Sequence, residues 1–182
     1  KNKLVGFNTD YFGVLNSLDK YKGKKRILIF GCGGAGKATI AACFKKFKNS
    51  YFYLYNRDKI KLNKFIKKIK LKNFKIINNS ELLALDNIDL VLNTTSIGFN
   101  SWILKGSKYY NLMYFTPFQN LQNVKGVKQI DKQKFVRINR KLINEDNENC
   151  SNFFKLNKKC DIFDIIYNPN KTKLLKIAKK NG

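Results

Sequence analysis

The chain has no histidine, only two prolines, one tryptophan and one methionine in 182 residues. Its four cysteines, Cys32, Cys43, Cys150 and Cys160, therefore have no imidazole beside which to complete a zinc site, and none forms a C-x-x-C pair. No metal is expected. The pattern suits free thiols in a reducing compartment, cytoplasm or plastid, and not secretion. No apolar run is long enough to cross a bilayer, so no membrane partner is expected. Acidic residues are scarce: 12 Asp plus Glu against 37 Lys plus Arg, a net charge of +25. Arginine occurs only as Arg26, Arg57, Arg137 and Arg140. A charge of this size suits nucleic acid or an anionic surface. The lysines, however, are spread along helical stretches and loops and do not form one basic block. No aromatic ribonucleoprotein motif, zinc finger or helix-turn-helix accompanies them. Lys and Asn share A-rich codons, so an AT-rich genome accounts for the excess, and no specific nucleic-acid partner is expected. The first residue is not Met and the chain starts within a motif, from which we expect a fragment of a longer protein.

What is present is globular: 43% of the residues are apolar. Residues 8–20 carry Phe12, Leu15 and Leu18 at helical spacing, with Asn8 or Thr9 as cap. Arg26–Phe30 is a short apolar run suited to a buried parallel strand. An Ala-rich helix (residues 37–47) follows a glycine cluster. Tyr51–Tyr55 reads as a second strand and Lys59–Lys70 as a helix with Ile60, Phe65, Ile66 and Ile69 inward. Phe74–Ile77 and Ile88–Leu92 are further strands, with a short helix from Ser80 between them. Alternating strands and helices predict an α/β fold: a Rossmann-like, doubly wound parallel sheet in three α/β/α layers. Residues 100–159 break the rhythm, with aromatic clusters, basic stretches and one acidic patch but no clean period. They are expected to be a long irregular insertion, partly disordered. Order is expected to resume with a strand over Asp161–Tyr167 and a closing helix (residues 171–180). The whole, 1–182, reads as one domain.

The chemistry begins at Gly31-x-Gly33-x-x-Gly36, which follows a strand and opens a helix. Glycines there allow a tight turn and close approach of the backbone to a pyrophosphate, which meets the free N–H groups and positive dipole of the helix start. A lone G-x-G-x-x-G is weak, but this one stands in its required context. The second strand ends in Asn56-Arg57-Asp58, with Arg57 21 residues beyond Gly36. A guanidinium there can hold a 2′-phosphate by paired hydrogen bonds, which favours NADP, with Lys59 and Lys61 adding charge. Asp58 points the other way, toward a ribose hydroxyl and NAD. Both options stay open on the residues alone.

Several segments together carry a family resemblance. Gly6–Gly13 (GFNTDYFG) resembles the GxNTDxxG motif of the shikimate dehydrogenases. Residues 31–38 (GCGGAGKA) resemble their GAGGAxxA loop, and 56–58 their NRT, with Asp58 in place of Thr. NTTSIG at 93–98 resembles their strand-end motif, and DIIYNPNKTKLL at 164–175 their D-x-x-Y-x-P-x-x-T-x-L-L segment. Order and approximate spacing agree, outside the expected insertion. The NTDY form is also similar to the plant-type enzyme that joins this activity to dehydroquinate dehydratase.

The resemblance implies reduction of 3-dehydroshikimate to shikimate with NADPH, in aromatic amino acid biosynthesis. It makes Asp10 the carboxylate of a catalytic Lys–Asp pair, where it orients the lysine and tunes its proton affinity. Taken alone, Asp10 would be an acid complementing a helix dipole. The resemblance places Thr9 and Tyr167 at the substrate, Tyr167 at its carboxylate. It places Gly31, Gly33, Gly34, Ala35, Asn56, Arg57 and Lys61 at the cofactor. Thr94, Thr95 and Ser96 border it at the strand end, and Ile165 lines the nicotinamide. No lysine here occupies the family's catalytic motif, Lys1 and Lys3 lying too near Asp10. Residues 1–22 are accordingly expected to lead in from an N-terminal substrate domain absent from this sequence. The alternatives are an NAD-dependent quinate/shikimate dehydrogenase, kept open by Asp58, and a degenerate dinucleotide-binding module without catalysis.

Overall fold

The structure is a computed structural model that describes residues 7–181. Gly6, Lys1 and Lys3 lie outside the described residues. The first helix, α1 (Thr9–Ser17), is capped by Asn8, whose side chain accepts the Tyr11 N–H, and it runs on through a 3-10 turn over Leu18–Tyr21. Then come β1 (Arg26–Phe30), α2 (Gly34–Lys46), β2 (Tyr51–Tyr55), α3 (Lys59–Ile69), β3 (Phe74–Ile76), α4 (Asn79–Leu83) and β4 (Leu90–Asn93). Next are a hairpin, β5 (Trp102–Lys105) and β6 (Lys108–Asn111), and two helices, α5 (Lys132–Ile138) and α6 (Arg140–Leu156). β7 (Asp161–Asp164) and α7 (Lys173–Asn181) close the chain.

Five strands form one parallel sheet in the order β3-β2-β1-β4-β7. Alternation along β1 explains the layers, because successive side chains of a strand face opposite sides. Ile27 and Ile29 pack with Leu18 from the 3-10 turn after α1, Ile40 from α2, and Leu62 and Ile66 from α3. Leu28 and Phe30 pack with Leu82, Phe153, Phe154 and Leu174 from α4, α6 and α7. Both faces are therefore covered by helices. The expected doubly wound, three-layer architecture is what the chain adopts.

The expectation for 100–159 needs correction. This stretch is not irregular throughout: it carries the hairpin, two short 3-10 turns, α5 and α6. Its hairpin and helices enclose a satellite core of Phe115, Val124, Val127 and Phe135, with Trp102 edge-on to Phe135 at 5.5 Å. The apolar stripe of α6 is Leu142, Ile143, Cys150, Phe153 and Phe154, and the buried Asp146 interrupts it. That interruption is why the helical period does not show in the sequence.

Two smaller differences have local causes. Ile60 is 70% exposed, and Leu62 takes the inward place expected for it. With Asp58 as the cap of α3, the stripe runs Leu62, Phe65, Ile66, Ile69, starting two residues later than expected. β7 ends at Asp164 and does not reach Tyr167, because the Asp164 carboxylate accepts the Ile166 N–H and turns the chain away.

Candidate functional site

A cleft of about 480 Å³ opens beyond the C-terminal ends of β1, β2 and β4. Ligands of open parallel sheets bind in this place, where the strand order reverses. β1 and β2 sit side by side here because Gly31 N donates to the Tyr55 carbonyl at 2.9 Å. Gly31 has φ +101°, which side chains rarely adopt, and a Cβ on it would stand 2.7 Å from Thr94 Oγ1. Gly36 is forced by contact: a Cβ there would meet the Gly31 carbonyl oxygen at 2.7 Å. Helix α2 thus presses onto the turn.

Gly33 and Gly34 differ from these two. A Cβ on either would meet nothing within 4 Å. Their bareness leaves a hollow in front of the helix start. Gly33 is the cap of α2 and no side chain caps the first turn, so its N–H groups are available to an anion. A diphosphate fits this cradle.

Asn56 braces the turn. Its Oδ1 accepts Cys32 N–H at 3.1 Å and its Nδ2 donates to the Asp58 carbonyl at 2.7 Å. Arg57 is exposed on the cleft rim and makes no ion pair or side-chain hydrogen bond among the described residues. Asp58 is committed: its Oδ1 accepts the Lys61 N–H at 2.9 Å and caps α3. Burial pushes the Cys32 thiol up, while the positive charges of Lys37 and Lys61 pull against it, so both ammonium groups bear on the glycine turn. Burial likewise raises the Tyr55 hydroxyl against the nearby Arg57.

On the β4 side the end of the strand is tied down. Thr94 Oγ1 donates to the Phe30 carbonyl at 2.6 Å, and Thr95 donates through both N–H and hydroxyl to Asn93 Oδ1. Asn93 Nδ2 donates in turn to Asp164 Oδ1 at 3.1 Å. Asp164 also accepts from Ile166 N–H and Thr172 Oγ1. Burial raises this carboxyl despite those three donors.

Gly31, Gly33, Asn56, Arg57, Lys61, Thr94, Thr95 and Ser96 are brought together around this cleft. Gly34 and Ala35 follow directly in the first turn of α2. The remaining expected residues are not in its lining. Thr9 and Asp10 are exposed in the first turn of α1, and Ile165 is half-buried beyond β7. Tyr167 is 78% exposed, with Phe99 edge-on at 5.8 Å.

Nothing in the sequence pattern marked the opposite wall. Leu112, Pro117, Gln119, Asn120 and Leu121 face the cleft, all from the stretch expected to be irregular. Each belongs to a 3-10 turn or its flanks, where no period marks a residue as inward. Among the described residues no helix is long and apolar enough to cross a membrane.

No family model matches the chain. Individual proteins do. The NADP(+) shikimate dehydrogenase of Clostridium botulinum strain Hall is 29% identical over 186 residues, covering 100% of this chain and 53% of that protein. That of Methanococcus maripaludis strain C7 is 39% identical over 106 residues, 54% of this chain and 36% of that protein. Among solved structures, the shikimate dehydrogenase of Aquifex aeolicus superposes with a TM-score of 0.55 at 26% identity, covering 97% of this chain and 48% of that one. The chain spans about half the length of the curated relatives it matches end to end. Along its whole length, then, this chain is similar to the shikimate dehydrogenases.

Proposed function

We propose that this chain is the dinucleotide-binding half of an NADP-dependent shikimate dehydrogenase, which reduces 3-dehydroshikimate to shikimate. The observation that carries this reading is one cleft holding both a bare glycine cradle and an unpaired guanidinium. Gly31, Gly33, Gly34 and Ala35 hold the diphosphate through backbone N–H groups and the helix dipole. Asn56 keeps that turn in shape, and Arg57 and Lys61 take the 2′-phosphate. Asp58 is the residue that would favour NAD, and one of its carboxylate oxygens is already spent on capping α3. Thr94, Thr95, Ser96 and Ile165 border the nicotinamide. When bound, NADPH supplies the hydride for carbonyl reduction.

The substrate side rests on the resemblance at α1 and beyond β7. Asp10 orients a lysine and tunes its proton affinity, so that the pair moves a proton at the substrate oxygen. Thr9 and Tyr167 hold the substrate, Tyr167 at its carboxylate. Exposure of Asp10 and Tyr167 is consistent with side chains that meet a small molecule. None of the residues in this sequence matches the lysine partner. The compartment is cytoplasm or plastid, a setting supported by free thiols at Cys32, Cys43, Cys150 and Cys160.

Calorimetric titration with NADP+ and NAD+ tests the reading. Arg57→Ala is expected to weaken NADP+ binding by roughly tenfold to a hundredfold, as losing charge-assisted hydrogen bonds does, and to leave NAD+ binding nearly unchanged. Equal losses for the two would remove Arg57 as the phosphate reader and turn the assignment toward an NAD-dependent quinate/shikimate dehydrogenase.

A further inference from the structure

Asp146 lies in the middle of α6 and is fully buried. A carboxylate there is costly unless it is paired and hydrogen-bonded. It accepts Thr116 N–H at 2.8 Å on Oδ2 and the Thr116 hydroxyl at 2.6 Å on Oδ1. Lys173, the first residue of α7, brings its Nζ to 3.4 Å from Oδ2 and donates to the Tyr114 carbonyl at 2.5 Å. Tyr114 and Thr116 are thus both gripped, one by the cation and one by the anion. Thr116 passes the constraint forward. Its Oγ1 accepts the Phe118 N–H at 3.3 Å and its carbonyl accepts the Gln119 N–H at 3.1 Å. Phe118 is seated against Phe30, the last residue of β1, with ring centroids 5.1 Å apart.

The chain fastened in this way is the wall of the cleft. Pro117 and Gln119 flank the pinned segment and line the cavity, together with Asn120 and Leu121. Aromatic packing alone is weakly directional, whereas two charge-assisted hydrogen bonds from one carboxylate fix the orientation of Thr116. A wall without a strand or long helix needs such a clamp to hold its distance from Arg57 and the glycine turn.

We infer that Asp146, set by Lys173 and acting through Thr116, is a positioning residue that holds the 116–121 wall of the dinucleotide cleft. The inference rests on the cofactor reading above for the identity of the ligand, but the clamp can be measured without any ligand. Thr116→Val keeps the shape and removes the hydroxyl. Asp146→Asn keeps the shape and removes the charge. Thr116→Ser keeps the hydroxyl.

Two measurements on the full chain decide it. Hydrogen exchange on the ligand-free protein is expected to rise by about tenfold or more at the Thr116, Phe118 and Gln119 amides in Thr116→Val and Asp146→Asn, the scale of losing one strong hydrogen bond. Exchange in β1, β2 and β4 stays as it was. NADP+ titration of the same folded variants, well below their Tm, is expected to show weakening of about tenfold, with Thr116→Ser restoring binding. A purely structural role would lower Tm and leave the affinity of the folded protein unmoved. Unchanged exchange at those amides, or unchanged affinity in both variants, overturns the inference. If the unsubstituted chain binds neither NADP+ nor NAD+, the cofactor reading fails, and the exchange pattern still decides whether Asp146 clamps the wall.

Discussion

The sheet from β1 to β4 and the stretch between β4 and β7 reach the same degree of order by different means. In the first, burial follows a period: Ile27, Leu28, Ile29 and Phe30 are all fully buried, and alternate residues serve the two faces. In the second, buried polar side chains hold irregular backbone. Asn139 clasps Lys125 with bonds to both its N–H and its carbonyl, at 2.8 and 2.9 Å. From the same stretch, Asn157 also pins the loop before β4, accepting Ile88 N–H at 2.7 Å and donating to the Leu85 carbonyl at 3.0 Å. Asp146 holds Thr116. Backbone polar groups left without a ladder must find partners, and here side chains far away in sequence provide them. A strand can lose one contact and keep its register, whereas a pinned loop depends on single groups.

The largest expected effect breaks that comparison most directly. Lys173→Met leaves the Asp146 carboxylate buried without its cation, which costs about 3–5 kcal/mol when a buried pair is broken. Lys46→Met removes one partner of Asp19 in the sheet half, but that carboxylate is 56% exposed and keeps Lys22 nearby, and such exposed pairs contribute little to stability. Chemical denaturation of the two variants should show this gap. Similar losses would mean that the second region does not depend on its polar pins.

A smaller effect separates the two kinds of glycine at the turn. Gly36→Ala drives a Cβ to 2.7 Å from the Gly31 carbonyl oxygen and 2.8 Å from its carbon, and backbone cannot yield as a flexible side chain can. Overpacking of this kind costs about 1–3 kcal/mol and should disturb ligand binding with it. Gly33→Ala meets nothing within 4 Å, so Tm should stay nearly constant while dinucleotide affinity falls. Thermal melts beside titrations read the two quantities separately. A Gly33→Ala variant with undiminished affinity would show that the hollow is not where the diphosphate lies.

How far the sequence could be read follows from the same contrast. Strand alternation and helix stripes are repeated signals, so β1, β2, α3 and the doubly wound topology were legible, and the error at Ile60 displaced only the start of one stripe, by two residues. The glycine turn and Arg57 could be singled out because their chemistry is local to a strand end, whereas Thr94–Ser96 were singled out only through the family resemblance. The wall from Leu112 to Leu121 was not. Its placement depends on Asp146, 30 residues beyond Thr116, and on Lys173, 59 beyond Tyr114. An aspartate inside a helical stripe reads as a break in the pattern until its partner is known.

The smallest effect concerns a second carboxyl, half-buried where Asp146 is fully buried. Asp164 sits at the end of β7 among neutral donors, Asn93 Nδ2, Ile166 N–H and Thr172 Oγ1, with no cation bonded to it among the described residues. Burial raises its proton affinity above the ordinary carboxylate value of 3.8. A raised carboxyl binds its proton more tightly in the folded chain than in the unfolded one. Its contribution to stability is therefore fully present below the unfolded value and is lost as pH rises through the folded one. Asp164→Asn carries no charge at any pH and keeps Oδ1 as acceptor for Asn93 and Ile166, while the Thr172 hydroxyl can rotate to accept from the new amide. The variant should gain on the unsubstituted chain most at neutral pH, and the gap should close as pH falls toward 4. The pH dependence of Tm for the two proteins measures this. A gap that holds constant, or that widens in acid, would mean that the three donors outweigh burial at Asp164.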